Sequence, residues 1–207
     1  VFPKYMEMHY DKYIKLENPH IRTRWKKVYD KMLKLATINA NGKRIVLKNP
    51  PNTGRIKAFL EMYPDAKFIH IYRNPYIVYL STKTLYKKAV SIFYLQKLSE
   101  EEEERLIFSI YKEMMRDYFA QVALIPKENF VEVRFEDLEK DPMAEMRKVY
   151  NAIDLSGFEA AAPNIQAYLN SLGTYKKNKY NLDKTTIQKI ESHWKFTIDR
   201  WGYEVPE

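Results

Sequence analysis

Arg73, Ser81 and Lys48 stand where an anion can be held. Arg73 follows the alternating run Phe68–Tyr72 and precedes Asn74-Pro75, which opens an amphipathic stretch carrying Ser81. A strand running into a helix start presents backbone N–H groups and the positive end of the helix dipole. Arginine at that junction adds a planar fork that matches phosphate oxygens. Lys48 closes the short apolar run 45–47 and precedes Asn49-Pro50-Pro51. A lysine there is a point charge for a transferring or leaving oxyanion. A further basic stretch, Tyr175-Lys176-Lys177-Asn178-Lys179-Tyr180, follows Gly173 and reads as a loop able to close over a phosphate or a base. Phe135, at the end of the run 130–135, is an aromatic able to stack on a purine.

Each of these residues also has a plainer use. Arg73 can pair with a local carboxylate, and Ser81 can bond back to a helix carbonyl. Lys48 can snorkel to solvent. The 175–180 stretch can be a solvated basic loop, and Phe135 can be core. His70 sits inside a strand pattern and reads as a satisfied core histidine. His9, His20 and His193 are scattered. No HExxH, Cys/His cluster or spaced acidic pair is present, so no metal site is expected. No G-x-S-x-G is present, and the whole chain has 5 glycines, none of them in a phosphate loop.

The elements that must position these side chains follow from periodicity. Residues 1–40 read as helical, with Trp25, Val28, Met32 and Leu35 at near-helical spacing, and Asn41-Gly42 as a turn. A short buried strand is expected over 45–47. Asn52 or Thr53 is expected to cap a helix bearing Ile56, Phe59, Leu60 and Met62. A strand over Phe68–Tyr72 follows, then a helix with Asn74 as N-cap and Pro75 as its first residue. Ser99 and four glutamates open a long helix to about Leu124. The run 130–135, FVEVRF, is a third strand. Asp141-Pro142 starts another helix, and two more are expected over 157–172 and 183–200. Strands alternating with helices imply an α/β fold of three layers: a central parallel sheet flanked by helices. Ligands in such folds sit at the carboxyl ends of strands, where Lys48, Arg73 and Phe135 all fall.

Composition bounds the partners. The chain has 207 residues, 45% hydrophobic and 14% aromatic, with 17 tyrosines. That is enough for one domain with a core, 1–207, and no repeats. A net charge of +8 fits an anionic partner. With no cysteine there is no disulfide, thiolate site or cysteine nucleophile. No run approaches the roughly 20 apolar residues of a membrane span. Val1 and the text that follows read as the interior of a domain, so an N-terminal portion is expected upstream.

The order LKNPPNTGRI, YPDAKFIHIYRNPYIVYLST, VRFEDLEKDPMAEMRKVY resembles the sulfotransferases that use 3′-phosphoadenosine 5′-phosphosulfate (PAPS), and the bacterial-type sulfotransferase-domain proteins most of all. The resemblance covers residues 44–90 and 130–155 well and 175–201 more loosely. It implies a P-loop-NTPase-like sulfotransferase fold and PAPS as the donor co-substrate, with no metal. It implies that Arg73 and Ser81 grip the 3′-phosphate and that Lys48 stabilises the transferring group. It implies that Phe135 lies near the adenine and that Lys176, Lys177 and Asn178 complete the 3′-phosphate pocket. Many cytosolic members place a histidine two residues after that lysine; here the position is Pro50. The loop that cradles the 5′-phosphosulfate is not in this text and is expected upstream of Val1, which makes the chain the anchoring half of a site.

The reading is sulfuryl transfer from PAPS to a hydroxyl or amine of a small-molecule or carbohydrate acceptor, with no nucleic-acid partner. One rival is a nucleotide-dependent kinase of related fold, which needs a GxxxxGK[ST] loop and a magnesium carboxylate. Another is a basic nucleic-acid-binding module, which needs cations and aromatics interleaved along one surface.

Overall fold

The computed structural model describes residues 2–172 and 182–206. Its elements in order are α1 (Met6–Tyr10), α2 (Pro19–Asn39), α3 (Ile56–Met62), β1 (Phe68–Tyr72), α4 (Pro75–Leu85), α5 (Glu100–Gln121), β2 (Phe130–Arg134), α6 (Phe135–Lys140), α7 (Pro142–Ala152), α8 (Phe158–Ser171) and α9 (Lys184–Trp201). They fall into two compact units. One runs to Pro64 and includes Tyr86–Leu124; the other takes Asp65–Leu85 and the chain from Ile125 on.

The first unit is helical. Asn18 caps α2, its Oδ1 accepting from the amides of His20 at 3.0 Å and Ile21 at 3.2 Å. Ser99 and Glu102 form a reciprocal capping box at the start of α5. Leu106, Ile107, Phe108, Met115 and Tyr118 of α5 are buried, as are Ile56, Ala58 and Phe59 from α3. Trp25 stacks on Tyr29 at 4.6 Å and meets the Phe59 ring edge-on at 5.8 Å. The short 3₁₀ segment Pro50–Gly54 packs against α5. Gly54 is required there by close approach: a Cβ would stand 2.8 Å from Tyr10 Oη and 2.9 Å from Ile14 Cγ2. The same Tyr10 hydroxyl donates to Asp117 Oδ2 at 2.7 Å. Burial pushes the Asp117 carboxyl above its usual range, and the Tyr10 hydrogen bond opposes that rise.

The second unit carries the sheet. β1 and β2 pair in parallel, from Phe68 beside Phe130 to Tyr72 beside Arg134. Because side chains alternate along a strand, the two faces are distinct. On one face Val133 is buried with Val149 and Ile153, and Val131, Leu138 and Leu155 pack around them. Each such side chain contributes about 1.5–3 kcal/mol when fully buried. On the other face Tyr72 stacks on Trp201 of α9 at 4.9 Å, and His70 lies 5.7 Å from the same ring. His70 Nδ1 is 3.3 Å from Glu132 Oε1, in keeping with a satisfied histidine. Helices therefore flank the parallel sheet on both faces. α4 packs on α9, where Tyr79 meets the fully buried Trp194 edge-on at 6.0 Å.

Two expectations are corrected. Residues 45–47 are irregular chain rather than a buried strand, with Val46 85% exposed. A strand exists through a hydrogen-bonded neighbour, and among the described residues the sheet is β1 with β2. Neither Asn52 nor Thr53 caps α3. The residue before that helix is Arg55, without a side-chain cap, and Asn52 Oδ1 instead accepts from Arg55 Nη1 at 3.3 Å.

Candidate functional site

β1 and β2 end side by side, and each is followed at once by a helix. The register puts Tyr72 opposite Arg134, so the next residues, Arg73 and Phe135, leave adjacent strand ends. They meet there: the Arg73 guanidinium lies 4.3 Å from the centroid of the Phe135 ring. Arg73 and Phe135 are both half-buried. Among the described residues no carboxylate lies within ion-pair distance of Arg73. The neighbouring strand-end arginine differs. Arg134 Nε is 3.5 Å from Glu136 Oε2, and its guanidinium lies 4.8 Å over the Tyr203 ring.

Asn74 fixes the corner. It is buried, and its four polar groups are all engaged. Its Oδ1 accepts from the Tyr76 amide at 3.0 Å, the expected N-cap of α4. Its Nδ2 donates to the Glu204 carbonyl at 3.0 Å, and its amide N–H donates to Glu136 Oε1 at 3.1 Å. Its carbonyl accepts the Val78 N–H at 3.0 Å. This changes how the corner can hold an anion. Pro75 has no N–H, and the Tyr76 N–H is taken by the cap, so the start of α4 offers fewer free donors than the sequence suggests. The charge of the corner resides chiefly in the Arg73 side chain.

Ser81 is half-buried on α4, about 9 Å along the axis from Pro75 and one turn beyond Ile77. Lys48 belongs to the first unit, exposed, in irregular chain rather than at a strand end. Lys176, Lys177 and Asn178 lie outside the described residues.

Glu136 is a residue the sequence reading passed over. Burial pushes its carboxyl up, but the Tyr203 hydroxyl, the Asn74 amide and the Arg134 charge together hold it below the usual carboxylate range. Burial and the bond to Glu136 push the Tyr203 phenol well up, so it stays a donor. The partners of Glu136 lie 62 and 67 residues away in the chain, and no local pattern announces contacts at that range.

Two parallel strands that end side by side, each running at once into a helix, with Arg73 over the Phe135 ring at those ends, define an α/β protein with a strand-end corner of the kind where ligands sit in such folds. The comparisons agree with that class and narrow it. A family model described as "Sulfotransferase family" matches residues 4–160, and the chain belongs to that family. It is 34% identical over 197 residues to the omega-hydroxy-beta-dihydromenaquinone-9 sulfotransferases Stf3 of Mycobacterium bovis and Mycobacterium tuberculosis, covering 94% of this chain and 50% of each relative. The chain thus spans about half the length of the curated relatives it matches. The crystal structure of sulfotransferase STF9 from Mycobacterium avium superposes with a TM-score of 0.59 at 20% identity, over 79% of this chain and 43% of that one. The fold is that of a sulfotransferase.

Proposed function

We propose that this chain carries the nucleotide-anchoring part of a sulfotransferase that moves a sulfuryl group from PAPS to a hydroxyl of a small-molecule acceptor. The observation that carries the reading is the Arg73 guanidinium, 4.3 Å over Phe135 at two adjoining strand ends and without a carboxylate partner among the described residues. A cation and an aromatic ring at one corner suit a phosphate and a purine of one nucleotide. With the guanidinium over one face of Phe135, the ring is assigned to the purine end of the same nucleotide. Ser81 is assigned as a hydroxyl donor to the 3′-phosphate, and Lys176, Lys177 and Asn178, outside the described residues, are assigned to the same phosphate. Membership of the sulfotransferase family supports the reaction class, and a relative named for an omega-hydroxylated dihydromenaquinone supports a hydroxyl acceptor.

In the step itself the acceptor oxygen attacks sulfur in line. The bond from sulfur to the 5′-phosphate oxygen breaks, and adenosine 3′,5′-bisphosphate leaves with that electron pair. The acceptor proton passes to a base. The protein's contribution is positioning and charge stabilisation. Lys48 is the residue assigned to the negative charge on the transferring and leaving oxygens.

Titration calorimetry on the complete protein tests the donor. Adenosine 3′,5′-bisphosphate is expected to bind at least about tenfold more tightly than ATP, the margin of one charge-assisted hydrogen bond. Preference for ATP moves the reading to the kinase alternative, and preference for single-stranded RNA over both moves it to a nucleic-acid module.

A further inference from the structure

Glu136 carries the wrong charge to meet a phosphate, yet the corner is assembled around it. Its Oε1 accepts the N–H of the peptide that joins Arg73 to Asn74, at 3.1 Å. Its Oε2 accepts the Tyr203 hydroxyl at 2.7 Å and lies 3.5 Å from Arg134 Nε. Asn74 reaches the same C-terminal stretch through the Glu204 carbonyl. The chain arrives there by turning at Gly202, whose φ of 62° is in the left-handed region that glycine favours. One carboxylate therefore ties together the β1–α4 corner, the β2–α6 corner and the segment that follows α9.

Two physical consequences bear on Arg73. A peptide is planar, so fixing the N–H of Asn74 fixes the plane that follows the Arg73 Cα and limits where its side chain can start. The Phe135 ring then holds the other end of that side chain, at 4.3 Å. An arginine fixed at both ends loses less conformational freedom when it binds an anion. Glu136 also stands against Arg134 rather than Arg73, so of the two strand-end arginines it neutralises the one that is not aimed over Phe135.

We infer that Glu136 is a positioning residue for Arg73, holding the Arg73–Asn74 peptide so that the guanidinium is presented to the ligand, with Tyr203 clamping Glu136 from the segment after α9. This rests on the reading that Arg73 meets the 3′-phosphate of the donor.

The test is a ratio, which a loss of general stability does not move. Calorimetry on the complete protein gives the affinity for adenosine 3′,5′-bisphosphate and for adenosine 5′-monophosphate, which lacks the 3′-phosphate. Glu136→Ala is expected to lower the bisphosphate preference by about tenfold. Glu136→Gln keeps an acceptor for the Asn74 N–H and is expected to stay within about threefold of wild type. In an Arg73→Ala background, Glu136→Ala is expected to change the ratio no further. If Glu136→Ala does not fold, Glu136→Asp carries the test, since its shorter side chain cannot reach both partners; a ratio several-fold below wild type is expected. An unchanged ratio in the folded Ala or Asp variant, or a further fall in the Arg73→Ala background, overturns the inference. A wild type without bisphosphate preference overturns the donor reading and this inference with it. A wild-type preference that Arg73→Ala removes and Glu136→Ala keeps overturns the positioning role alone.

Discussion

Arg73→Ala is expected to lower the affinity of the complete protein for adenosine 3′,5′-bisphosphate by about 1.5–3 kcal/mol, roughly 10- to 150-fold, the range for hydrogen bonds to charged groups. The reason is local. Arg73 leaves the end of β1 beside the start of α6, and among the described residues its charge has no carboxylate partner. The first turn of α4 adds little in its place, because Pro75 lacks an N–H and Asn74 engages that of Tyr76. Adenosine 5′-monophosphate, without the 3′-phosphate, is expected to lose far less. Thermal stability is expected to move little, since the substitution removes one cation–π pair from the protein itself, worth about 0.5–1 kcal/mol. Calorimetry with both nucleotides, beside a melting curve, separates the two effects. Equal losses for both nucleotides would mean that Arg73 does not meet the 3′-phosphate.

Trp194→Ala costs about 3–5 kcal/mol of stability, the usual range for removing a buried large aromatic. Trp194 is 0% exposed, and Tyr79, which it meets edge-on, is buried as well. That packing joins α9 to α4, the helix that begins at the Asn74 cap and bears Ser81. Deleting the indole leaves a cavity at the seam, so nucleotide binding is expected to weaken along with the fold. Trp194→Phe fills part of the space and is expected to cost less than Ala. Urea denaturation gives the difference, read as a lower midpoint at similar slope. A midpoint close to wild type for the Ala variant would contradict the role given to this packing.

The parts of the fold legible in the sequence were those fixed by neighbours in the chain. FIHIY formed β1 as read, and of the run read as a strand over 130–135 the first five residues formed β2 while Phe135 opened α6. Asn74-Pro75, Ser99 with Glu102, and Asp141-Pro142 each satisfy their own helix start within three residues, and each formed as read. The family too was legible, because its motifs lie in the order of the strands and corners. Arg73 with Phe135 was half legible: both were placed at strand ends, but their meeting is a consequence of register. The rest depends on groups far away in the chain. The 45–47 triplet has the composition of a strand, but strand formation is decided by a partner that no local pattern names. Asn52 carried a capping side chain, yet Arg55 took it. Glu136 reads locally as a helix-start acid, and only the folded chain shows it bonded to Asn74 and Tyr203. The donor capacity ascribed to the first turn of α4 was reduced by the same Asn74 whose capping role was foreseen.

Sulfuryl transfer from PAPS through this site is tested by following the sulfur itself. The complete protein is incubated with ³⁵S-labelled PAPS and a set of hydroxylated small molecules that includes an omega-hydroxylated isoprenoid quinol, beside a parallel reaction with γ-labelled ATP. The label is expected in an acceptor product, with adenosine 3′,5′-bisphosphate released in equal amount and the transfer nearly lost in Arg73→Ala. Label passing from ATP and none from PAPS would contradict sulfuryl transfer.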